Sequence, residues 1–193
     1  VSESSKDQVD IEANILVRVK NQDRRAQQAL YDKYAPLFYS ICMRYLKQPM
    51  DAEDVMIESF YKIFNKIGQF NDQGSFEGWM KRIVVNESLM HIRKKKNLNL
   101  HIEIEKAYDA KEDAVALDNL QYEELLALLE ELPDGYRTIF NLYIIEGYKH
   151  REIADLLGIS INTSKSQLIL AKKRLREIYK KKHNRDFCSD KIG

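Results

Sequence analysis

The stretch GISINTSKSQLILAKKRL, residues 158–175, begins with a glycine, passes through short and polar side chains, and ends in lysine and arginine. A helix that only covered a core would have no use for that gradient. A helix whose first turn is pressed against something polar and anionic would. The preceding segment, HREIADLLG, is long enough for about two helical turns. Two short helices meeting at a tight turn need a small residue where they cross and a residue tolerant of positive φ in the turn. Ala154 and Gly158, four apart, supply these. Ile153, Leu156 and Leu157 form the buried face of the first helix, Ile159 lies inside the turn, and Ser160 or Asn162 caps the second helix. The pattern is that of a helix-turn-helix, whose second helix enters the DNA major groove by its first turns. Asn162, Ser164, Lys165, Ser166 and Gln167 are then the groups able to approach base edges. Leu168, Ala171 and Leu175 anchor the helix inward, and Lys172, Lys173, Arg174 and Arg176 lie beside phosphates. A hairpin that serves packing alone is the competing reading of the same turn.

Composition bounds the rest. The chain has 193 residues, room for one mid-sized or two small domains. Its 44% hydrophobic and 32% charged residues suit a soluble protein with a core. Only 7 Gly and 3 Pro leave too few turn residues for an all-β fold. Cys42 and Cys188 lie far apart, which gives no disulfide framework or metal-ligand spacing and fits a reducing cytoplasm. The polar, acidic opening VSESSKDQVD is unlike a signal peptide, and no apolar run reaches membrane-spanning length. The net charge of +1 conceals a segregated layout. Trp79 to Asn97 holds six Lys/Arg against one acid, His101 through Glu131 ten acids against two Lys, and Lys165 to Arg185 nine Lys/Arg against one Glu. One such run reads as a solvated helix face; basic segments flanking an acidic one point to a polyanionic partner.

The apolar spacing is helical almost throughout, and predicts an all-α fold. Leu30, Tyr34, Leu37, Phe38, Ile41, Tyr45 and Leu46 form one stripe, with Pro49 beyond its end and Asp51 as the next cap. DAEDVMIESFYKIFNKI turns Val55, Met56, Phe60, Ile63, Phe64 and Ile67 inward, and Gly68 suits its C-terminal cap. After the loop QFNDQGS, a third helix places Phe76, Trp79, Ile83, Leu89 and Ile92 on its apolar side and ends in RKKKN. From residue 98 the periodicity fades into NLHIEIEKAYDAKEDAVALDN, acidic and faceless, the composition of a flexible linker and a domain boundary. Helical patterning returns at QYEELLALLEEL, and Pro133 starts a further helix that Gly147 ends.

At LPDGYRTIFNLYIIEGYKHREIADLLGISINTSKSQLILAKKRL the chain resembles region four of bacterial RNA polymerase sigma factors. DAEDVMIESFYKIF and GSFEGWMKRIVVNESLMHIRKKKN resemble region two. Two such regions with no domain between them resemble the short extracytoplasmic-function (ECF) class. The resemblance implies two small helical domains joined by an acidic flexible linker: region 2 at 12–97, linker at 98–119, region 4 at 120–182 and a tail at 183–193. It implies a non-enzymatic, cytoplasmic initiation factor without cofactor or metal. Its partners would be core RNA polymerase, promoter DNA and an anti-sigma factor.

Residue by residue, the resemblance implies that Asp51, Asp54, Glu58, Tyr61 and Lys62 dock on the coiled coil of the polymerase clamp. The minus-ten element would be met by Phe70, Asn71, Asp72, Gln73, Ser75 and Phe76 around a base pocket. Lys81, Arg82, Asn86, Arg93, Lys94 and Lys95 would bind the opened strand. The minus-thirty-five element would be met by Asn162, Thr163, Lys165, Ser166, Gln167, Ile169, Lys172, Lys173 and Arg174. The surface around Phe140, Tyr143 and Ile144 would bind the flap tip of the β subunit. Ser164, Lys165 and Gln167 depart from the residues many members carry, as do the apolar Ile169 and Leu170, which suggest thymine-methyl contact or packing. The acidic linker would imitate RNA on basic polymerase surfaces. Trp79 reads as a core anchor rather than a stacking platform. The competing function is a stand-alone helix-turn-helix regulator with a helical sensing or dimerisation domain. An enzyme finds no support, because His91, His101, His150 and His183 lack ligand spacing and no phosphate-binding glycine loop exists.

Overall fold

The computed structural model describes residues 15–71, 74–96 and 122–189, and every regular element among them is helical. The chain divides into two compact units, residues 1–97 and 98–193. The acidic segment read as a linker lies outside the described residues, as do Asp72 and Gln73.

In the first unit α1 (residues 15–20) leads to α2 (Arg24–Tyr45), α3 (Pro49–Lys66), a 3₁₀ turn at Ile67–Gln69 and α4 (Phe76–Lys96). The start of α2 is fixed by Asp23, whose carboxylate accepts from the backbone N–H of Arg25 at 2.8 Å and of Ala26 at 3.3 Å. Arg18 donates to the same carboxylate at 2.9 Å and holds its pKa below the ordinary aspartate value. Pro49, not Asp51, sets the start of α3: it occupies the first turn, where its missing N–H costs nothing, and Gln48 is the N-cap residue. Asp51 instead lies inside the first turn, 3.4 Å from His91 Nε2 on α4. Gly68 is likewise no left-handed cap, since α3 tightens into the 3₁₀ turn and the positive-φ glycines are 74, 147 and 158.

Helices α2, α3 and α4 pack mutually. Phe38 of α2 and Phe60 of α3 meet with ring centroids 5.1 Å apart, and Tyr31 stands 4.7 Å from Phe60. On α3, Val55, Met56, Phe60, Ile63 and Ile67 are buried as the stripe predicts, while Phe64 is half-buried. On α4 the inward face is Met80, Val84, Val85, Ser88 and Leu89. Of the stripe expected there only Leu89 is buried; Phe76, Trp79, Ile83 and Ile92 are half-buried. The offset arises because Phe76 and Trp79 turn toward Phe70 at the loop end, at 5.2 and 5.7 Å, instead of toward the bundle centre. The two buried serines satisfy themselves locally: Ser59 donates to the carbonyl of Val55 and Ser88 to that of Val84.

The second unit comprises α5 (Tyr122–Glu130), α6 (Asp134–Phe140), a π-helical turn at Asn141–Ile145, α7 (His150–Leu157) and α8 (Ile161–Ser189). Pro133 is the residue just before α6 rather than its first member. α8 is the common partner of α5, α6 and α7. Its buried residues, Ser164, Gln167, Leu168, Ala171, Leu175 and Ile178, repeat three and four apart along one stripe. Far along α8, Lys182 meets Glu131 at 2.7 Å and His183 approaches Glu124 at 3.4 Å, tying it to the α5 end of the unit. Arg137 is buried, donating to Asp134 at 3.1 Å, and burial lowers its pKa to about 10 against the opposing pull of Glu130.

Cys42 shows how tightly the first unit closes. Its thiol is fully buried beside Ser88 Oγ, 3.8 Å away, and burial raises its pKa to about 11. Since the thiolate is the reactive form, native protein at mildly alkaline pH leaves Cys42 unlabelled by iodoacetamide. Unfolding in urea exposes it. Peptide mass spectrometry measures both, and rapid labelling of Cys42 in the folded state would contradict this core.

Candidate nucleic-acid interface

The turn between α7 and α8 is built as the sequence suggests. Gly158 adopts φ 68° and ψ 36°, and the N–H groups of Gly158 and Ile159 both reach the carbonyl of Ala154. Ser160 is the cap of α8: its hydroxyl accepts from the Thr163 N–H at 2.9 Å and lies 2.8 Å from Thr163 Oγ1. At the other end of the motif, the Lys149 N–H donates to Glu152 Oε2 at 2.7 Å and closes the first turn of α7.

Because one stripe of α8 is buried, the opposite face is presented to solvent. Asn162, Lys165, Ile169 and Lys173 are exposed at spacings of three, four and four, with Ser166 and Lys172 half-buried beside them. Ile169 is 42% exposed, an apolar side chain between cations. Thr163 and Arg174 lie off this face, engaged with Ser160 and with Glu177 at 3.0 Å. Gln167 belongs elsewhere. It is 2% exposed, packed on the inward stripe, and its Oε1 has no hydrogen-bond partner. Three-residue spacing from Ser164 rotates it into the core, so the structure removes it from the reading face. Ser164 is also inside, 2.9 Å from His150 Nδ1.

In the first unit, Arg82 and Asn86 are exposed one turn apart on α4, with Met90 and Arg93 continuing the same face. Lys94 is exposed on the next turn, and the Lys95 side chain lies outside the described residues. Lys81 points away from this face, into an ion pair with Glu77 at 2.6 Å. Ser75 caps α4 by accepting from the Gly78 N–H at 3.1 Å, a role its place before the helix could have suggested. Phe70 is buried, and Lys20 of α1 donates to its carbonyl at 3.2 Å, fixing the start of the loop. Phe76 and Trp79 stack at 5.8 Å, and Asn71 is exposed.

On α3 the exposed stripe is Met50, Asp54, Ile57, Glu58 and Tyr61, the tyrosine 68% exposed. Met50 and Ile57 escaped the sequence reading, although both stand off the inward periodicity. Asp51 and Lys62 sit at the edge of this stripe and turn toward α4, Asp51 to His91 and Lys62 to Glu87. Lys62 also meets Glu58 at 3.2 Å, and the hydrogen bond to Glu87 leads the effects that raise its pKa. Phe140 is buried in the second unit, while its neighbours Tyr143 and Ile144 are exposed, so only these two remain available for the surface expected there.

A solvent-facing, cation-flanked second helix on a tight left-handed turn defines a helix-turn-helix DNA-binding protein. Two family matches extend that class: Sigma-70 region 2 over residues 30–98, and Sigma-70 region 4 over residues 122–175. The chain is 30% identical over 176 residues to the ECF RNA polymerase sigma factor SigW of Bacillus subtilis, covering 83% of this chain and 92% of that one. It is 29% identical over 160 residues to the ECF sigma factor SigE of Mycolicibacterium smegmatis, covering 80% and 62%. Among solved structures, the sigma factor RpoE of Bartonella quintana, in complex with the anti-sigma factor NepR, shares the fold. Its TM-score is 0.52 at 20% identity, over 79% of this chain and 96% of that one. The chain belongs to the ECF family of RNA polymerase sigma factors. It is a non-enzymatic factor that binds core RNA polymerase and promoter DNA in transcription initiation, and the stand-alone regulator is not favoured. Among the described residues no helix is long and apolar enough to cross a membrane.

The buried, unpartnered Gln167 carbonyl carries an unpaid desolvation cost. Gln167→Leu keeps the volume and removes that group, so it raises the unfolding free energy by about 1 kcal/mol in urea titration. Destabilisation would show that the amide is anchored after all.

Proposed function

We propose that this sigma factor reads its promoter at two places, through the outer face of α8 at the minus-thirty-five element and through α4 with the loop before it at the minus-ten element. The observation that carries the first half is the opposition of faces on α8: Asn162, Lys165, Ser166, Ile169, Lys172 and Lys173 lie across the helix from the buried stripe. Asn162, Lys165 and Ser166 supply donors and acceptors for base edges near the helix start, Lys172 and Lys173 neutralise phosphates, and Ile169 meets thymine methyl groups. In the first unit Arg82, Asn86, Arg93 and Lys94 track the opened strand, while Phe70, Phe76 and the loop between them shape the base pocket. Asp54, Glu58 and Tyr61, with Met50 and Ile57 among them, form a mixed acidic and apolar surface suited to the basic clamp of the polymerase. An anti-sigma factor is the expected antagonist, as one accompanies the Bartonella protein. The site of action is the cytoplasm, and the acidic segment 98–119 serves as an RNA-like tether.

Run-off transcription with core polymerase on a promoter library tests the whole reading. Lys165→Ala lowers output from promoters with the preferred minus-thirty-five element by about tenfold, the value of one good base contact. Output from promoters that depend on the minus-ten element alone stays as it was. Equal loss on both classes would refute the assignment of Lys165.

The role of Ile169 has its own test. Replacing the thymines of the minus-thirty-five element with deoxyuridine deletes only methyl groups, and weakens holoenzyme binding about threefold for each methyl that Ile169 covers. Ile169→Ala holoenzyme binds the two DNAs alike. If the variant still discriminates, the methyl groups are read elsewhere.

A further inference from the structure

The four histidines of the chain have no part in the reading above, yet one of them occupies the joint between the two helices of the DNA-binding motif. His150 is the first residue of α7, and its Nδ1 stands 2.9 Å from the hydroxyl of Ser164 on the first turn of α8, fourteen residues later. Ser164 is fully buried and His150 half-buried, so the serine end of this contact lies inside the unit. On the other side the ring of Tyr143, from the π-helical turn, stacks on the imidazole with centroids 4.3 Å apart and planes 22° from parallel. The imidazole is thus held on both sides, by a ring face and by a directional hydrogen bond.

The consequence falls on the reading face. Ser164 lies between Thr163 and Lys165, and its own N–H makes an early helical bond of α8, to the Ser160 carbonyl at 3.0 Å. A displacement of Ser164 relative to α7 carries Asn162, Lys165 and Ser166 with it, because all sit within one turn. Small errors of placement forfeit base-edge hydrogen bonds, whose geometry is strict. The groups near the ring argue against a charged role. Burial first, then Lys165 and Lys172, lower the His150 pKa below its ordinary value, which leaves the imidazole neutral at neutral pH. A neutral ring releases no counterions from DNA.

We propose that His150 is a positioning residue for minus-thirty-five recognition, which fixes the register of the α8 reading face through its hydrogen bond to Ser164 while Tyr143 holds its ring. The inference rests on the α8 reading and adds to it a residue that touches no base.

The test uses full-length protein assembled with core polymerase, in competition binding against promoters changed singly at the minus-thirty-five and minus-ten elements. His150→Phe keeps the stacked ring and deletes the hydrogen bond; Ser164→Ala deletes the partner with minimal change in volume. Each lowers discrimination at the minus-thirty-five element about fivefold, the weight of one hydrogen bond, and leaves minus-ten discrimination unchanged. The double variant loses no more than either single one, the signature of coupled partners. The slope of affinity against salt stays at the wild-type value, whereas Lys173→Ala, which removes a phosphate-neutralising cation, reduces it by about 0.9. Thermal melting of each variant identifies loss of fold, and Ser164→Ala decides the matter if His150→Phe does not fold. Unchanged minus-thirty-five discrimination in folded variants, equal losses at both elements, additive losses, or a lower salt slope for His150→Phe would each overturn the proposal. In those cases a normal response of Lys165→Ala leaves the α8 reading standing. A wild-type holoenzyme indifferent to minus-thirty-five changes would bring down both.

Discussion

The second unit depends on one constraint: α8 must seat a single stripe, from Ser164 to Ile178, against α5, α6 and α7. Burial of Leu168, Ala171, Leu175 and Ile178 fixes the rotation of the helix about its own axis, because turning it by one residue would expose these groups and bury lysines. Everything on the far side follows from that rotation. Asn162, Lys165, Ile169 and Lys173 share a face because the core has claimed the other one, and not through any contact among themselves. The first unit obeys the same logic with three helices, where the seated stripes of α3 and α4 leave an acidic-apolar strip on one and a basic strip on the other.

Much of this was legible in the sequence because helical periodicity is a strong signal and the α7–α8 turn is short. Gly158, Ala154 and the anchors of α8 follow from spacing and turn chemistry alone, and the inward face of α3 from the recurrence of Val55, Phe60, Ile63 and Ile67, whereas the choice of Ser160 over Asn162 as cap came from the structure. The α4 stripe was misread because it is apolar on more than one side. Trp79 stands about 100° round the helix from Met80, and no pattern within the helix reveals that Phe70 awaits Phe76 and Trp79 across the loop. Such a partner becomes visible only in three dimensions.

Polar residues on the inward stripe were the other source of error. Ser164 and Gln167 look like base-reading groups by chemistry, and only their register with Leu168 and Ala171 shows them to be interior. Asp51 looked like a cap because an aspartate before a helical run usually is one, but Pro49 two residues earlier fixes φ and starts the helix sooner. Phe140 was assigned outward with Tyr143 and Ile144, although the π-helical turn that follows it alters the angular spacing by which its neighbours emerge. In each case local chemistry suggested one role and the tertiary register imposed another.

The bend at Gly158 limits how this motif can change over generations. A methyl group placed there would find open space, with no atom within 4 Å, so crowding is not what keeps the position small. The restriction is chiral: at φ 68° an L-side chain strains against its own carbonyl, whereas the mirror-image side chain would sit at ease. Asparagine is therefore the nearest coded substitute, and the β-branched valine and isoleucine are poor ones even though open space surrounds the Cβ position.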